Sequence, residues 1–83
     1  MTRADLLKKV SAVLAEILDD DELILTEDTT AEDVDGWDSV NHMKLIIALE
    51  GELAIRFEAE EISEMEDVRA LLDLIERHAE HRA

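Results

Sequence analysis

DVDGWDSVNHMKLIIALE, residues 33–50, decides how this chain is read. A glycine, the only tryptophan and a serine behind an aspartate precede a strongly apolar run. From Ser39 to Leu53 the spacing predicts a helix. At about 100° per residue, Leu45, Ile46, Leu49 and Leu53 gather on one side, while Val40, Met43 and Ile47 gather roughly opposite, beside Lys44. One helix cannot aim both stripes at the same core. Either the helix is buried all round, or one stripe faces the core and the other a partner.

Two further helices flank it. Leu6, Leu7, Val10, Val13, Leu14, Ile17 and Leu18 form a helical stripe, with Thr2 as N-cap and Asp5 three residues on. Val68, Leu71, Leu72, Ile75 and Ala79 repeat the pattern near the carboxyl end, where Arg77, His78 and Arg82 suit the helix dipole. With no proline and only two glycines, propensity agrees with helix. Between the first two helices runs DDDELILTEDTTAEDVDGW, residues 19–37, which Leu23, Ile24, Leu25, Val34 and Trp37 are expected to pin to the core. After the central helix, AIRFEAEEISEMED carries Ile55 and Phe57 in an extended segment and Ile62 and Met65 on a short acidic third helix. The expected fold is all-α, a four-helix bundle with three longer helices and a short third one, formed by 1–83 as a single domain.

Eighty-three residues leave little room for an enclosed enzyme pocket. No cysteine is present, so disulfides and thiolate metal sites are excluded. The amino terminus lacks the apolar core of a signal peptide, and no run approaches a membrane span, which gives a cytoplasmic protein as the expectation. With 23 Asp and Glu against 8 Lys and Arg, the net charge of −15 disfavours nucleic-acid binding and favours partners with basic patches.

Three chemistries compete for the central stretch. If Gly36 takes the sixth position of a calcium-binding loop, Asp33 and Asp35 fit, but the first ligand becomes Ala31 and the closing one His42, so both ends fail. A hydrolytic reading makes Ser39 the nucleophile, His42 the base and Asp38 the orienter. Asp38, however, is placed to cap the helix, and nothing supplies an oxyanion hole, so His42 is expected at the surface or an edge. The remaining reading uses the helix amino terminus itself. Its backbone N–H groups and positive dipole end seat a phosphate, and the long loop leaves the Ser39 hydroxyl accessible.

GWDSVNHMKLIIALEGELAIRF, residues 36–57, resembles the modification segment of acyl carrier proteins, in which a D-S-L or D-S-V triplet opens the second helix. The likeness extends over the chain in helix order and acidity. It implies a freestanding, non-catalytic carrier whose serine, here Ser39, receives 4′-phosphopantetheine from coenzyme A through a magnesium-dependent phosphopantetheinyl transferase. Asp38 and Trp37, immediately before it, are implied as further cofactor-binding residues. Acyl groups would ride on the arm as thioesters between acyl-loading and acyl-processing enzymes. The resemblance also implies a partner surface of Val40, Met43, Lys44, Ile47, Glu50 and Glu52, extended by Glu61 and Glu64, on a monomer without a metal site or membrane insertion. Lys44 stands where fatty-acid carriers usually have an acid, Gly51 interrupts the acidic cluster, and tryptophan precedes the D-S pair. These departures point to a specialised pathway for polyketides, nonribosomal peptides or modified lipids. An aminoacyl or peptidyl carrier, and an unmodified acidic interaction domain, are the alternatives.

Charge this dense repels itself in the compact state. The melting temperature is therefore expected to rise with sodium chloride or millimolar magnesium, read by circular dichroism; a flat or falling response would contradict the repulsion argument.

Overall fold

The computed structural model describes residues 2–80, with the Glu80 side chain left out, so Arg82 lies outside the described residues. Among the described residues four helices follow one another: α1 (Arg3–Leu18), α2 (Ser39–Leu53), α3 (Ala59–Ser63) and α4 (Val68–Glu80). A short 3-10 turn (Ala31–Asp33) interrupts the loop between α1 and α2. Helix α1 starts as its sequence demands: the Thr2 hydroxyl accepts from the Asp5 N–H, and Asp5 returns a bond to the Thr2 N–H. It stops at Asp19, whose left-handed φ of 54° turns the chain out of the helix.

The core is one continuous cluster between α1, α2 and α4. Leu6, Val10, Val13 and Leu14 of α1 meet Leu45, Ile46 and Leu49 of α2 and Val68, Leu71, Leu72 and Ile75 of α4. Leu74 joins them although the apolar spacing left it out, whereas Ala79 is exposed, beyond the end of the buried stripe. The stripe expected to face outward does so: Val40, Met43 and Ile47 are 64%, 44% and 62% exposed. Helix α2 is thus divided between a core side and a solvent side, not buried all round.

The long loop is fixed at both ends of its path. Leu25 and Trp37 are buried, and Leu23 and Val34 pack against the core. Ile24 corrects the expectation, at 82% exposed: its two neighbours, Leu23 and Leu25, pack on the core, and the side chain between them is left in solvent. The loop also serves α4, because Val68 N–H donates to the Thr29 carbonyl and Arg69 N–H to the Glu27 carbonyl, both at 2.9 Å. Two of the four N–H groups that begin a helix thereby find partners. Asp67 Oδ1 satisfies a third, from Ala70, at 2.9 Å.

Arg3 joins the same three regions electrostatically. Its guanidinium reaches Glu27 Oε1 at 2.7 Å, Asp73 Oδ1 at 2.8 Å, and Glu76. The hydrogen bond from Arg3 holds the Glu27 carboxyl below the usual carboxylate range. Arg69 adds an ion pair with Asp28 at 2.9 Å.

Leu49 is fully buried within the core cluster. Leu49→Ala is expected to cost about 2–5 kcal/mol, the range for truncating a buried leucine; urea denaturation measures it, and a loss below about 1 kcal/mol would place the residue outside the packed core.

Candidate functional site

The site is built around the turn that delivers the chain into α2. Gly36 has φ of 88°, a conformation that side-chain-bearing residues rarely adopt. Its carbonyl accepts from the Asp38 N–H at 3.0 Å and from the Asn41 side-chain amide at 2.6 Å, which ties the turn to the first turn of the helix. Asp38 is the N-cap, its Oδ1 accepting from Asn41 N–H at 2.9 Å. Ser39 is consequently the first helical residue, not the cap. It is exposed, and its hydroxyl makes no hydrogen bond among the described residues.

The N–H groups of Ser39 and Val40 likewise have no acceptor among the described residues, as expected for a helix start whose cap reaches only Asn41. An accessible hydroxyl and unpaired N–H groups thus coincide at the positive end of a 15-residue helix. Beside them lies an open groove of about 290 Å³, lined by Ala31, Trp37, Asp38, Ser39, His42, Ile62 and Met65. These features accommodate a phosphoryl group esterified to the serine and an extended chain leading away from it.

His42 has a partner that the sequence did not announce. It is half-buried at the edge of the groove, within the expectation of a surface or edge position, and its Nδ1 accepts from the Trp37 indole Nε1–H at 3.1 Å. That bond assigns the imidazole proton to Nε2, which is buried without a partner. Burial holds the His42 pKa below its ordinary value. Since Nδ1 is taken by Trp37 and the Asp38 carboxylate by the cap, Ser39, His42 and Asp38 form no nucleophile–base–acid relay.

The remaining site residues divide by engagement. Lys44 is exposed and makes no ion pair among the described residues. Glu50 Oε2 accepts from the Phe57 N–H at 2.8 Å and fixes the turn after α2. Glu52 pairs with Lys9 at 2.7 Å. Glu61 accepts from the Glu58 N–H and contacts His78 Nε2, both at 2.9 Å, so α3 is tied to α4. The bond from Glu58, and then that from His78, hold the Glu61 carboxyl low. Glu64 remains exposed, and Met65 lies just past α3, partly buried, not on it. The tryptophan–histidine pair was hidden from sequence reasoning, although two ring residues five apart across a helix start were its available signal.

Known proteins resemble this chain over most of its length. The profile of the phosphopantetheine attachment site family matches residues 8–75. The chain is 36% identical over 76 residues to an acyl carrier protein of Thermosynechococcus vestitus, covering 90% of this chain and 93% of that one. The solution structure of a holo acyl carrier protein from Geobacter metallireducens superimposes with a TM-score of 0.84 at 34% identity, covering 92% of this chain and 87% of that one. The crystal structure of an acyl carrier protein from Thermotoga maritima gives 0.88 at 30% identity, over 98% and 94% of the two chains.

The lowered His42 pKa carries a sign. The unfolded chain takes up a proton near pH 6.5, whereas the folded chain resists it, so stability falls as pH drops below about 6.5 toward the folded pKa. His42→Gln, which keeps an acceptor for Trp37, is expected to flatten the stability profile between about pH 6.5 and 5, before most carboxylates titrate. Urea midpoints across that window measure it, and parallel profiles for the two proteins would rule His42 out as the titrating group.

Proposed function

The chain belongs to the acyl carrier protein family and bears a covalently attached 4′-phosphopantetheine, and from that premise we propose that the attachment atom is Ser39 Oγ and that 1–83 acts as one monomeric carrier unit. The observation that carries the assignment is the division of roles at the start of α2: Asp38 does the capping, which leaves the serine hydroxyl exposed and unbonded. A capping serine would instead turn its oxygen back onto the helix.

When bound, the group supplies a thiol, which this chain otherwise lacks, to hold acyl chains as thioesters. The residues around it provide position and charge. Gly36 and Asn41 hold the entry turn, and the first N–H groups of α2 face the place where phosphate charge would sit. Trp37 lines the groove beside Ser39 and is held there by its bond to His42. Tethering then raises the local concentration of cargo at each docked enzyme. The carrier contributes delivery, and its partner enzymes contribute catalysis.

Its partners are a phosphopantetheinyl transferase and the acyl-loading and acyl-processing enzymes of a specialised pathway in the cytoplasm. They read Val40, Met43, Lys44 and Ile47 on α2 together with acids around Glu50, Glu52, Glu61 and Glu64. Support for a pathway other than bulk fatty-acid synthesis comes from Lys44, an exposed cation amid the apolar outer stripe.

Incubation with coenzyme A, magnesium and a broad-specificity phosphopantetheinyl transferase is expected to add the mass of one phosphopantetheine to the wild type and nothing to Ser39→Ala. Intact-mass spectrometry measures both, and a modified Ser39→Ala protein would move the attachment elsewhere.

A further inference from the structure

The chain is clasped across Ser39 by side chains on either side of it. The Asn41 amide reaches the Gly36 carbonyl, Asp38 accepts from the Asn41 N–H, and the Trp37 indole donates to His42 Nδ1. The last of these joins two rings over the serine, their centroids 6.0 Å apart. It is also the clasp that a proton near neutral pH can undo, because an imidazolium has no acceptor nitrogen left.

His42 holds a donor as well. Its Nε2–H is buried with no acceptor among the described residues. Buried donors are nearly always paired, and one left unpaired costs stability. Accepting from Trp37 accounts for one ring nitrogen and leaves the other without a use. The charges that face the ring are few. Asp38 lines the groove from α2, and Glu66 and Asp67, on the chain leading into α4, line a cavity of about 20 Å³ that His42 also borders. The 3-10 turn contributes Ala31, the segment through α3 contributes Ile62 and Met65, and α4 contributes Leu71, none of them charged. Asp38 and Asp67 are occupied at the starts of α2 and α4, and no Lys or Arg lines either space. Burial therefore prevails and holds His42 toward its neutral form in the unmodified chain.

Resting on the assignment of Ser39, we propose that His42 has two mutually exclusive partners: as neutral imidazole it accepts from Trp37, and as imidazolium, with a proton taken from solvent, it releases the indole and donates to the phosphodiester of the arm. Proximity supports the second partner. Ser39 and His42 lie three apart on α2, about 5–6 Å between Cβ atoms, and both line the groove. Charge supports it too, since a phosphodiester is anionic across the whole range in which histidine titrates, and an opposite charge at that distance favours the protonated ring. The ring must turn to exchange partners, because Nε2 is enclosed and Nδ1 is taken by the indole. Arm attachment and proton uptake are then linked, each favouring the other. His42 is thereby a positioning residue, whose release of Trp37 reshapes the wall of the groove beside Ser39.

NMR of the full chain tests this on apo protein and on protein loaded from coenzyme A, with the loaded residue identified by peptide mapping. Between about pH 8 and 5 the His42 ring and the Trp37 indole N–H are expected to titrate together. Loading is expected to raise their common midpoint by about half a pH unit, roughly a threefold gain in proton affinity, as one negative charge about 6 Å away supplies in a solvent-like dielectric. A phosphodiester does not itself titrate in this range, so the phosphorus resonance of the arm reports the contact. It is expected to move with the same midpoint in wild type and to stay flat in His42→Gln, which keeps an acceptor for Trp37 and takes up no proton. Three outcomes overturn the proposal: a midpoint that loading leaves unchanged or lowers, a ring that titrates while the indole N–H stays put, or a wild-type phosphorus resonance indifferent to pH. The wild-type measurements decide even where His42→Gln fails to fold. With the arm mapped to Ser39, those outcomes sink the two-partner proposal alone; an arm mapped elsewhere sinks the site assignment and this proposal with it.

Discussion

The surplus of negative charge is the constraint under which the rest of the molecule is arranged. With 23 carboxylate residues and 8 Lys and Arg, compactness requires that cations stand where chain segments converge. Arg3 does this most fully, drawing Glu27 of the loop and Asp73 and Glu76 of α4 to the start of α1. Arg69 draws in Asp28, and Lys9 draws Glu52 of α2 toward α1. Each pair is partly exposed and individually weak. Their value lies in position, because they keep the loop against α4, where its carbonyls complete the helix start.

That anchored loop is what makes an exposed serine compatible with a well-formed helix. The path from Leu25 to Trp37 stays on the core, so Gly36 can turn sharply and Asp38 can take the cap. Stability of the helix start and accessibility of Ser39 are thereby assigned to different residues. The buried tryptophan serves both: its ring closes the core beneath the turn, and its N–H fixes the imidazole beside the groove.

The helices, their order and the two faces of α2 were legible in the sequence because period and capping are local properties. Thr2 with Asp5, and Asp38 with Ser39, announced where α1 and α2 begin. What was illegible depended on contacts between distant segments. Ile24 looked like an anchor as much as Leu25 did, and only the folded path of the loop separates them. His42 read as a surface or edge residue, and its bond to Trp37 was hidden because it depends on how the turn at Gly36 folds back on the helix start. The internal bonds of Glu50, Glu52 and Glu61 were equally hidden, because Phe57, Lys9 and His78 lie 7 to 43 positions away.

One consequence of the Trp37 environment is optical. The chain contains a single tryptophan and no tyrosine, so its near-ultraviolet emission arises almost wholly from an indole two residues before Ser39. That indole is buried, hydrogen-bonded to an imidazole at 3.1 Å and placed on the wall of the groove. The protein therefore contains its own unlabelled fluorophore at the entry to α2, and its intrinsic emission is a direct read-out of the local environment of the groove beside the Ser39 hydroxyl.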